Sequence, residues 1–256
     1  MSISIEGCLS GPIQSSNFNA VKTVIEFLKS LPDDVRKSVL SQNLHAAVVS
    51  SGWNSSVPDK GTEILRLLLK AGADPNFIEP IGGKPIFHKA VLWGNAICVQ
   101  HLLDYDADPL LVDADGRTAL HSAYSSKIIQ RLLRLIPRFN VNVNAVDQYG
   151  YTPLMEVVNY SDDPKSVKML VEAGANFNAR TKGGKTILML AVEKGHCEIV
   201  EYLLTFKRLN INAWEKCRNA LSYAMIKHHL EIARMLLKKG AIMTEFVIKN
   251  RCQFRF

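Results

Sequence analysis

Cysteine is scarce in this chain of 256 residues, and its positions follow no paired spacing. The five cysteines are Cys8, Cys98, Cys197, Cys217 and Cys252, so their number is odd and no Cys-x-x-Cys pair occurs. A disulfide framework and a cysteine-based zinc site both depend on regular pairs, and the pattern argues against them. It is typical of a protein that works in a reducing compartment.

Long hydrophobic runs are missing as well. No stretch approaches the roughly 18–20 apolar residues that span a bilayer, and residues 1–6 lack the charged-then-apolar order of a signal peptide. We therefore expect no membrane insertion and a cytoplasmic location. The nucleus is an alternative, and so is the cytosol of a host cell if the protein is a secreted effector.

Motifs for catalysis and for metal binding are incomplete. Residues 183–186 read Gly-Gly-Lys-Thr, the end of a phosphate-binding loop, but the first glycine of that motif is replaced by Ala179. His228 and His229, with Glu231, lack the His-Glu-x-x-His spacing that places two metal ligands one helical turn apart. The sequence thus predicts no catalytic residue, no cofactor and no metal ligand, and we do not expect an enzyme.

A block that returns about every 33–34 residues is present instead. A turn residue followed four positions later by a large apolar residue occurs at Gly83/Phe87, Gly116/Leu120, Gly150/Leu154, Gly184/Leu188 and Cys217/Leu221. Apolar pairs follow at Leu68/Leu69, Leu102/Leu103, Leu132/Leu133, Leu170/Val171, Leu203/Leu204 and Leu236/Leu237. A fixed period of this length is typical of stacked helical hairpins.

The block resembles the ankyrin repeat, most clearly at residues 185–191 and 195–204. The resemblance covers nearly the whole chain and implies an all-α ankyrin-repeat solenoid of about six repeats plus terminal caps. The predicted segments are an N-terminal capping half-repeat (1–36), repeats at 37–78, 79–112, 113–146, 147–180, 181–213 and 214–242, and a C-terminal capping helix or tail (243–256).

The positions that match the ankyrin motif are expected to have structural roles. Thr118, Thr152 and Thr186 are expected to cap the first helix of their repeats, and Pro153 suits the first helical turn. The histidine position of the motif is filled by His45, His88 and His121, where the family's ring commonly bonds backbone of a neighbouring repeat. We therefore interpret these histidines as structural rather than catalytic.

Two irregularities break the period. The first copy carries about nine extra residues near 52–60, and the polar, proline-containing composition predicts a surface loop. The third copy lacks the usual glycine-histidine link after Ser126 and gains residues at 136–141. We expect a longer loop between repeats at that point.

The resemblance implies a non-enzymatic protein-protein interaction module that binds through its concave groove and hairpin fingertips. The candidate partner-binding residues at these positions are Trp93, Arg117, Tyr149, Tyr151, Tyr160, Lys185, Lys194 and Arg218. Large aromatic side chains add contact area with little entropy loss, and basic ones steer an acidic segment. We expect a protein partner with an acidic and apolar segment, bound by a monomer; exposed aromatics packed on a neighbouring finger are the alternative.

Two other functions stay open at this point. The tail at 243–256 could recruit other machinery, which would make the protein an adaptor or substrate receptor, and a pathogen or viral effector acting on host proteins would look the same. The net charge of +7 suggests nucleic acid, but the basic residues are spread along the chain and no known nucleic-acid module accompanies them. Specific nucleic-acid binding is not expected.

Overall fold

A computed structural model describes residues 8–52 and 59–243 of the chain. This part consists of helices and turns, and its only extended pairings are isolated β-bridges in the hairpin turns. None of the helices within it is long and apolar enough to cross a membrane. The all-α fold predicted from the repeat is confirmed.

Several sequence predictions fall outside the described residues. These are most of the insertion near residues 52–60, since residues 53–58 are not described, and the capping helix or tail beyond Met243. Of the cysteines, Cys8, Cys98, Cys197 and Cys217 are free thiols, whereas Cys252 lies outside.

The chain divides into two compact units whose segments alternate along the sequence, with boundaries after residues 123, 130 and 141. The boundary after residue 130 falls within helix α8, Ser126–Leu133. The first unit comprises Met1–Ala123 and Arg131–Val141. Its helices are α1 (Ser10–Gln14), α2 (Phe18–Leu28), α3 (Asp33–Gln42), α4 (Leu44–Ser50), α5 (Lys60–Lys70), α6 (Ile86–Leu92), α7 (Ala96–Asp104), a 3-10 helix (Ala119–Ser122) and α9 (Ile136–Phe139).

Helices of the first unit form two layers. The first helices of successive hairpins, α4, α6 and the 3-10 helix, pack against one another in order, and the second helices α5 and α7 pack likewise. At the N-terminal end, α1 packs on α4 and α2 packs on α5, as one hairpin packs on the next. The apolar faces of α4 and α5 are thereby covered by a pair of helices.

Helix α3 was not foreseen as a unit. It runs from Asp33 to Gln42 and therefore crosses the predicted boundary between residues 36 and 37. Pro32 precedes its first residue and Asp33 and Asp34 occupy its first turn, an arrangement that favours a helix start. The division of the chain into repeats and caps stays a prediction, and a boundary at 36/37 would cut this helix.

The second unit comprises Tyr124–Gln130 and Asn142–Phe256. Its helices are α10 (Pro153–Tyr160), α11 (Pro164–Glu172), α12 (Ile187–Lys194), α13 (Cys197–Leu203), α14 (Ala220–Ile226) and α15 (Leu230–Lys238). The first helices α10, α12 and α14 pack in order, and the second helices α11, α13 and α15 form a parallel row. Apolar residues of both rows make the core.

Threonine caps begin the first helices with one variation. Thr152 and Thr186 each accept a hydrogen bond from the backbone N–H three residues on, at 3.3 Å in both cases. Thr118 instead begins a 3-10 helix of four residues. Because α8 starts already at Ser126, few residues remain for a longer first helix in this repeat.

Two of the motif histidines contact backbone groups, one distant in the sequence and one in its own helix cap. The Nε2 atom of His88 lies 2.8 Å from the carbonyl oxygen of Leu111. Burial lowers the pKa of His88 to about 4, so the ring is neutral at pH 7. The Nδ1 atom of His121 accepts from the backbone N–H of Thr118 at 3.1 Å and completes its cap.

The third histidine lies beside Glu79, whose carboxylate also forms an ion pair with Lys89. His45 Nδ1 lies 2.6 Å from Glu79 Oε1, and Lys89 Nζ lies 2.9 Å from Glu79 Oε2. Glu79 therefore links side chains of α4 and α6. Each of the three histidines contacts a different kind of group: a backbone carbonyl, a backbone N–H and a carboxylate. All three partners belong to this chain.

A row of asparagines joins successive hairpins. Each side-chain amide accepts from a backbone N–H and donates to a backbone carbonyl about one repeat further along the chain; its members are Asn76, Asn144, Asn178 and Asn212. Asn178, for example, accepts from Asn210 N at 3.0 Å and donates to Arg208 O at 2.8 Å.

Replacement of Asn178 by alanine is expected to lower the free energy of unfolding by about 1–2 kcal/mol, because two partly exposed hydrogen bonds are lost. Urea unfolding followed by circular dichroism measures the change. Asn178→Asp keeps the acceptor and loses the donor, so its cost should fall between those of the wild type and Asn178→Ala. Equal stability of all three proteins would contradict a structural role for this row.

Candidate protein-interaction surface

One buried polar side chain shapes the hairpin turn at the start of each of three repeats. We call these turns fingers; they comprise residues 113–117, 147–151 and 181–185. Asp113, Asp147 and Thr181 are spaced by 34 residues and are all buried. Each of them bonds twice to the residue four positions on, which is Arg117, Tyr151 or Lys185 respectively. Its backbone N–H donates to the carbonyl of that residue at 2.9–3.0 Å. Its side-chain oxygen accepts a hydrogen bond from the backbone N–H of the same residue. These positioning residues were missed from the sequence, although their spacing was visible.

Tyr149 stands on the finger of the second unit with its backbone held on both sides. Its N–H donates to Asp147 Oδ1 at 2.9 Å, and its carbonyl accepts from the N–H of Lys182 on the next finger at 2.9 Å. The side chain is nevertheless 52% exposed. A large ring is therefore presented to solvent from a fixed backbone.

Tyr151 lies on the same finger but is partly buried. Its N–H donates to Asp147 Oδ1 at 2.8 Å. Burial raises the pKa of the Tyr151 hydroxyl, and the nearby charge of Lys185 opposes that shift. Tyr151 thus lies between the exposed fingertip and the packed helices.

Tyr160 is the last residue of α10, at the opposite end of this helix from the finger. It is 61% exposed, and its ring centroid lies 5.1 Å from that of Tyr124 in a tilted arrangement. The same repeat therefore exposes one tyrosine on its finger and another at the end of its first helix.

Lys185 is engaged inside the second unit. Its Nζ lies 2.8 Å from Glu193 Oε2 and 5.2 Å from the centroid of the Tyr223 ring. Burial by itself lowers the pKa of Lys185, but the hydrogen-bonded ion pair with Glu193 outweighs it, so the pKa is raised and the side chain is charged at pH 7. Its charge is compensated within the unit, a contact that sequence alone did not show.

Lys194 and Arg218 are the exposed basic members of the candidate set. Lys194 ends α12, and Arg218 follows a tight turn in which Lys216 takes a positive φ of 54°. Arg218 also lines a cleft of about 370 Å³ together with Tyr223. Lys194 and Arg218 are thus exposed to solvent, whereas Lys185 is half-buried.

The remaining two candidates belong to the first unit. Trp93 is half-buried and directly follows α6. Arg117 lies on a finger, 4.0 Å from Asp115, with a quarter (25%) of its side chain exposed. The other six candidate residues are all in the second unit.

The part of the chain that the structure describes contains no group of three or more His, Cys, Asp or Glu side chains that could hold a metal ion. The surface is built from fingers and helix ends that display aromatic and basic side chains. Such a surface can contact another protein.

Comparison with protein families identifies the repeat. A model described as ankyrin repeats (3 copies) matches at residues 44–147, 87–181, 124–217 and 154–246, which together cover well over half of the chain. The chain belongs to the ankyrin-repeat family. Ankyrin repeats are in general non-catalytic protein-interaction modules.

Curated proteins share this segment with low identity. The chain is 27% identical over 198 residues to palmitoyltransferase AKR1 of Lachancea kluyveri, covering 75% of this chain and 25% of that protein. It is 30% identical over 167 residues to Rabankyrin-5 of Mus musculus, covering 64% and 14%. It is 26% identical over 147 residues to the human SH3 and multiple ankyrin repeat domains protein 2, covering 57% and 8%. The chain thus spans a quarter or less of the length of these relatives.

Proposed function

We propose that this protein is a non-enzymatic interaction module that binds a partner protein through its fingers and the exposed ends of its first helices. The observation that carries the proposal is the half-exposed ring of Tyr149 on a finger whose backbone is fixed by Asp147 and Lys182. A rigid aromatic side chain loses little entropy on binding, so it is suited to anchor an interface.

The chemistry of the surrounding side chains defines the partner we propose. Tyr149 and Tyr160 offer apolar area with a polar tip, and Lys194 and Arg218 offer positive charge. A segment that carries both apolar and acidic side chains matches this combination. We propose that a single copy of the chain binds such a segment in the cytoplasm.

Other functions have weaker support. The match to the relative named as a palmitoyltransferase covers only a quarter of that protein. Its activity is therefore no evidence for the activity of this chain. Nothing in the described residues favours recruitment through the tail, since residues 244–256 lie outside them. The adaptor and effector alternatives therefore stay as sequence-based predictions, and specific nucleic-acid binding is still not expected.

Photo-crosslinking tests the proposed face. A benzophenone amino acid is placed at Tyr149 or at Tyr160, and a third protein carries it at Phe27, which is 62% exposed on α2 of the other unit. Each variant is irradiated in cell lysate, and adducts are identified by mass spectrometry. We expect the same partner to be captured from both tyrosine positions and not from Phe27. Capture from Phe27 alone would refute the proposed face.

A further inference from the structure

We propose that a cleft on the second-helix layer of the first unit binds an acidic segment of a partner protein, independently of the finger surface. The cleft has a volume of about 240 Å³ and lies between α7 and the segment that runs from the end of α8 into α9. Three arginines of that segment line it: Arg131, Arg134 and Arg138. We call it the arginine cleft.

Arg131 is fixed by a short chain of hydrogen bonds across the cleft. Its Nη1 donates to Gln100 Oε1 at 2.6 Å, and Gln100 Nε2 donates to Asp104 Oδ1 at 2.7 Å. Gln100 and Asp104 are four residues apart on α7, so both reach the same side of that helix. These two hydrogen bonds hold α7 against the arginine segment and form one wall of the cleft.

The other two arginines are exposed and available. Among the residues that the structure describes, neither Arg134 nor Arg138 has a carboxylate within ion-pair distance. The guanidinium carbon of Arg138 lies 4.8 Å from the centroid of the Phe139 ring, which supports the group through one face. A guanidinium held in this way keeps its N–H edge for a carboxylate, which it can bind through two parallel hydrogen bonds.

The lining favours a peptide over other anions. Leu103 and Leu135 give the cleft apolar area beside the arginines, which suits an aliphatic or aromatic side chain next to an acidic one. Asp104 adds a carboxylate that can accept a hydrogen bond from a peptide N–H, a donor that the phosphodiester backbone of a nucleic acid lacks. We therefore assign the cleft to a segment in which acidic and apolar residues alternate.

This site is separate from the function proposed above. Its residues come from second helices, from the turn after α8 and from α9, whereas the candidate partner-binding residues lie on hairpin turns or on and directly after first helices. None of its members was singled out from the sequence as partner-binding. Loss of the arginine cleft should consequently leave crosslinking through Tyr149 and Tyr160 unchanged, and failure of either proposal can be recognised without the other.

Fluorescence anisotropy tests the cleft with a fluorescein-labelled peptide of alternating glutamate and leucine residues. The double variant Arg134→Gln/Arg138→Gln should bind this peptide at least about tenfold more weakly than wild type, because two charge-assisted contacts are lost. The matched control is Lys207→Gln/Arg208→Gln, which removes the same charge from exposed positions of the second unit. Circular dichroism verifies that the exposed substitutions leave both variants folded.

The outcomes decide between the cleft and nonspecific charge. Weakened binding by the Arg134/Arg138 variant, with wild-type affinity for the control, supports the proposal, as does weaker binding by Arg134→Lys, which keeps the charge but not the planar fork. Equal weakening of both double variants would show general electrostatic attraction and overturn it. Displacement of the peptide by inorganic phosphate at equal concentration would also overturn it, since the site would then recognise an anion alone.

Discussion

Replacing Gly150 by alanine is expected to lower the free energy of unfolding by about 2–4 kcal/mol, the sum of a strained backbone and a steric clash. Gly150 has φ of +82°, a conformation that side chains with a Cβ atom rarely adopt. A Cβ added there would lie 2.7 Å from the backbone nitrogen of Lys182. That nitrogen donates to the carbonyl of Tyr149, so the substitution also pushes apart two neighbouring fingers.

Gly174→Ala provides the matched control for this prediction. Gly174 has φ of +92°, but a Cβ there would meet no atom within 4 Å. Its cost should therefore reflect strain alone, about 1 kcal/mol. Urea unfolding of both variants measures the difference. If Gly150→Ala costs no more than Gly174→Ala, the backbones of the two fingers do not approach each other as closely as 2.7 Å implies.

Replacing Asn95 by alanine is expected to lower the free energy of unfolding of the first unit by about 2–4 kcal/mol. Asn95 is fully buried and caps α7, where its Oδ1 accepts from the N–H groups of Ile97 and Cys98 at 3.1 and 3.0 Å. Its Nδ2 donates to the carbonyl and hydroxyl oxygens of Ser51 at 2.9 and 3.0 Å. Alanine removes the cap and leaves the Ser51 carbonyl buried without this donor.

Asn17→Ala separates these two costs. Asn17 caps α2 by accepting from Ala20 N at 3.1 Å, and it is exposed to solvent. Loss of a cap alone should cost about 1 kcal/mol. Thermal unfolding monitored by circular dichroism should place the midpoint of Asn95→Ala clearly below that of Asn17→Ala. Equal midpoints would mean that the bonds to Ser51 contribute nothing.

Local signals in the sequence were sufficient to predict the repeat and its turns. The turn glycines Gly83, Gly116, Gly150 and Gly184 all have positive φ, as the alignment of the repeats requires. Pro153 stands in the first turn of α10. These features depend on residues that are close in the sequence, so a regular period reveals them.

Features that depend on the exact turn geometry, or on two side chains that meet in space, were harder to predict. The alignment places Cys217 at the glycine position of the last finger, but Lys216 takes the positive φ and the turn is tighter. Lys185 stands at a fingertip position, yet its pairing with Glu193 requires the turn and α12 to meet in space. Propensity and spacing carry no information about such side-chain partners.

Asp147 shows a signal that was present but unused. Its spacing of 34 residues from both Asp113 and Thr181 marks a repeated position, as clear as that of the turn glycine. A small polar residue two or three positions before a turn glycine suits a side chain that bonds backbone N–H groups. This rule predicts that the backbone N–H groups of Tyr149 and Tyr151 bond to the Asp147 side chain, but it does not predict the exposed fraction of either tyrosine.

Isothermal titration calorimetry measures the affinity of the crosslinked partner for the variant Tyr149→Ala/Tyr160→Ala and so tests whether these two side chains bind it. Both side chains are exposed, so the variant should fold like the wild type. We expect the dissociation constant to rise by roughly 30-fold or more, the effect of losing an interface anchor of about 2 kcal/mol. Phe27→Ala removes an equally exposed ring from α2 and should leave it unchanged. Unchanged affinity in the tyrosine variant would contradict the claim that the fingers and first helices bind the partner.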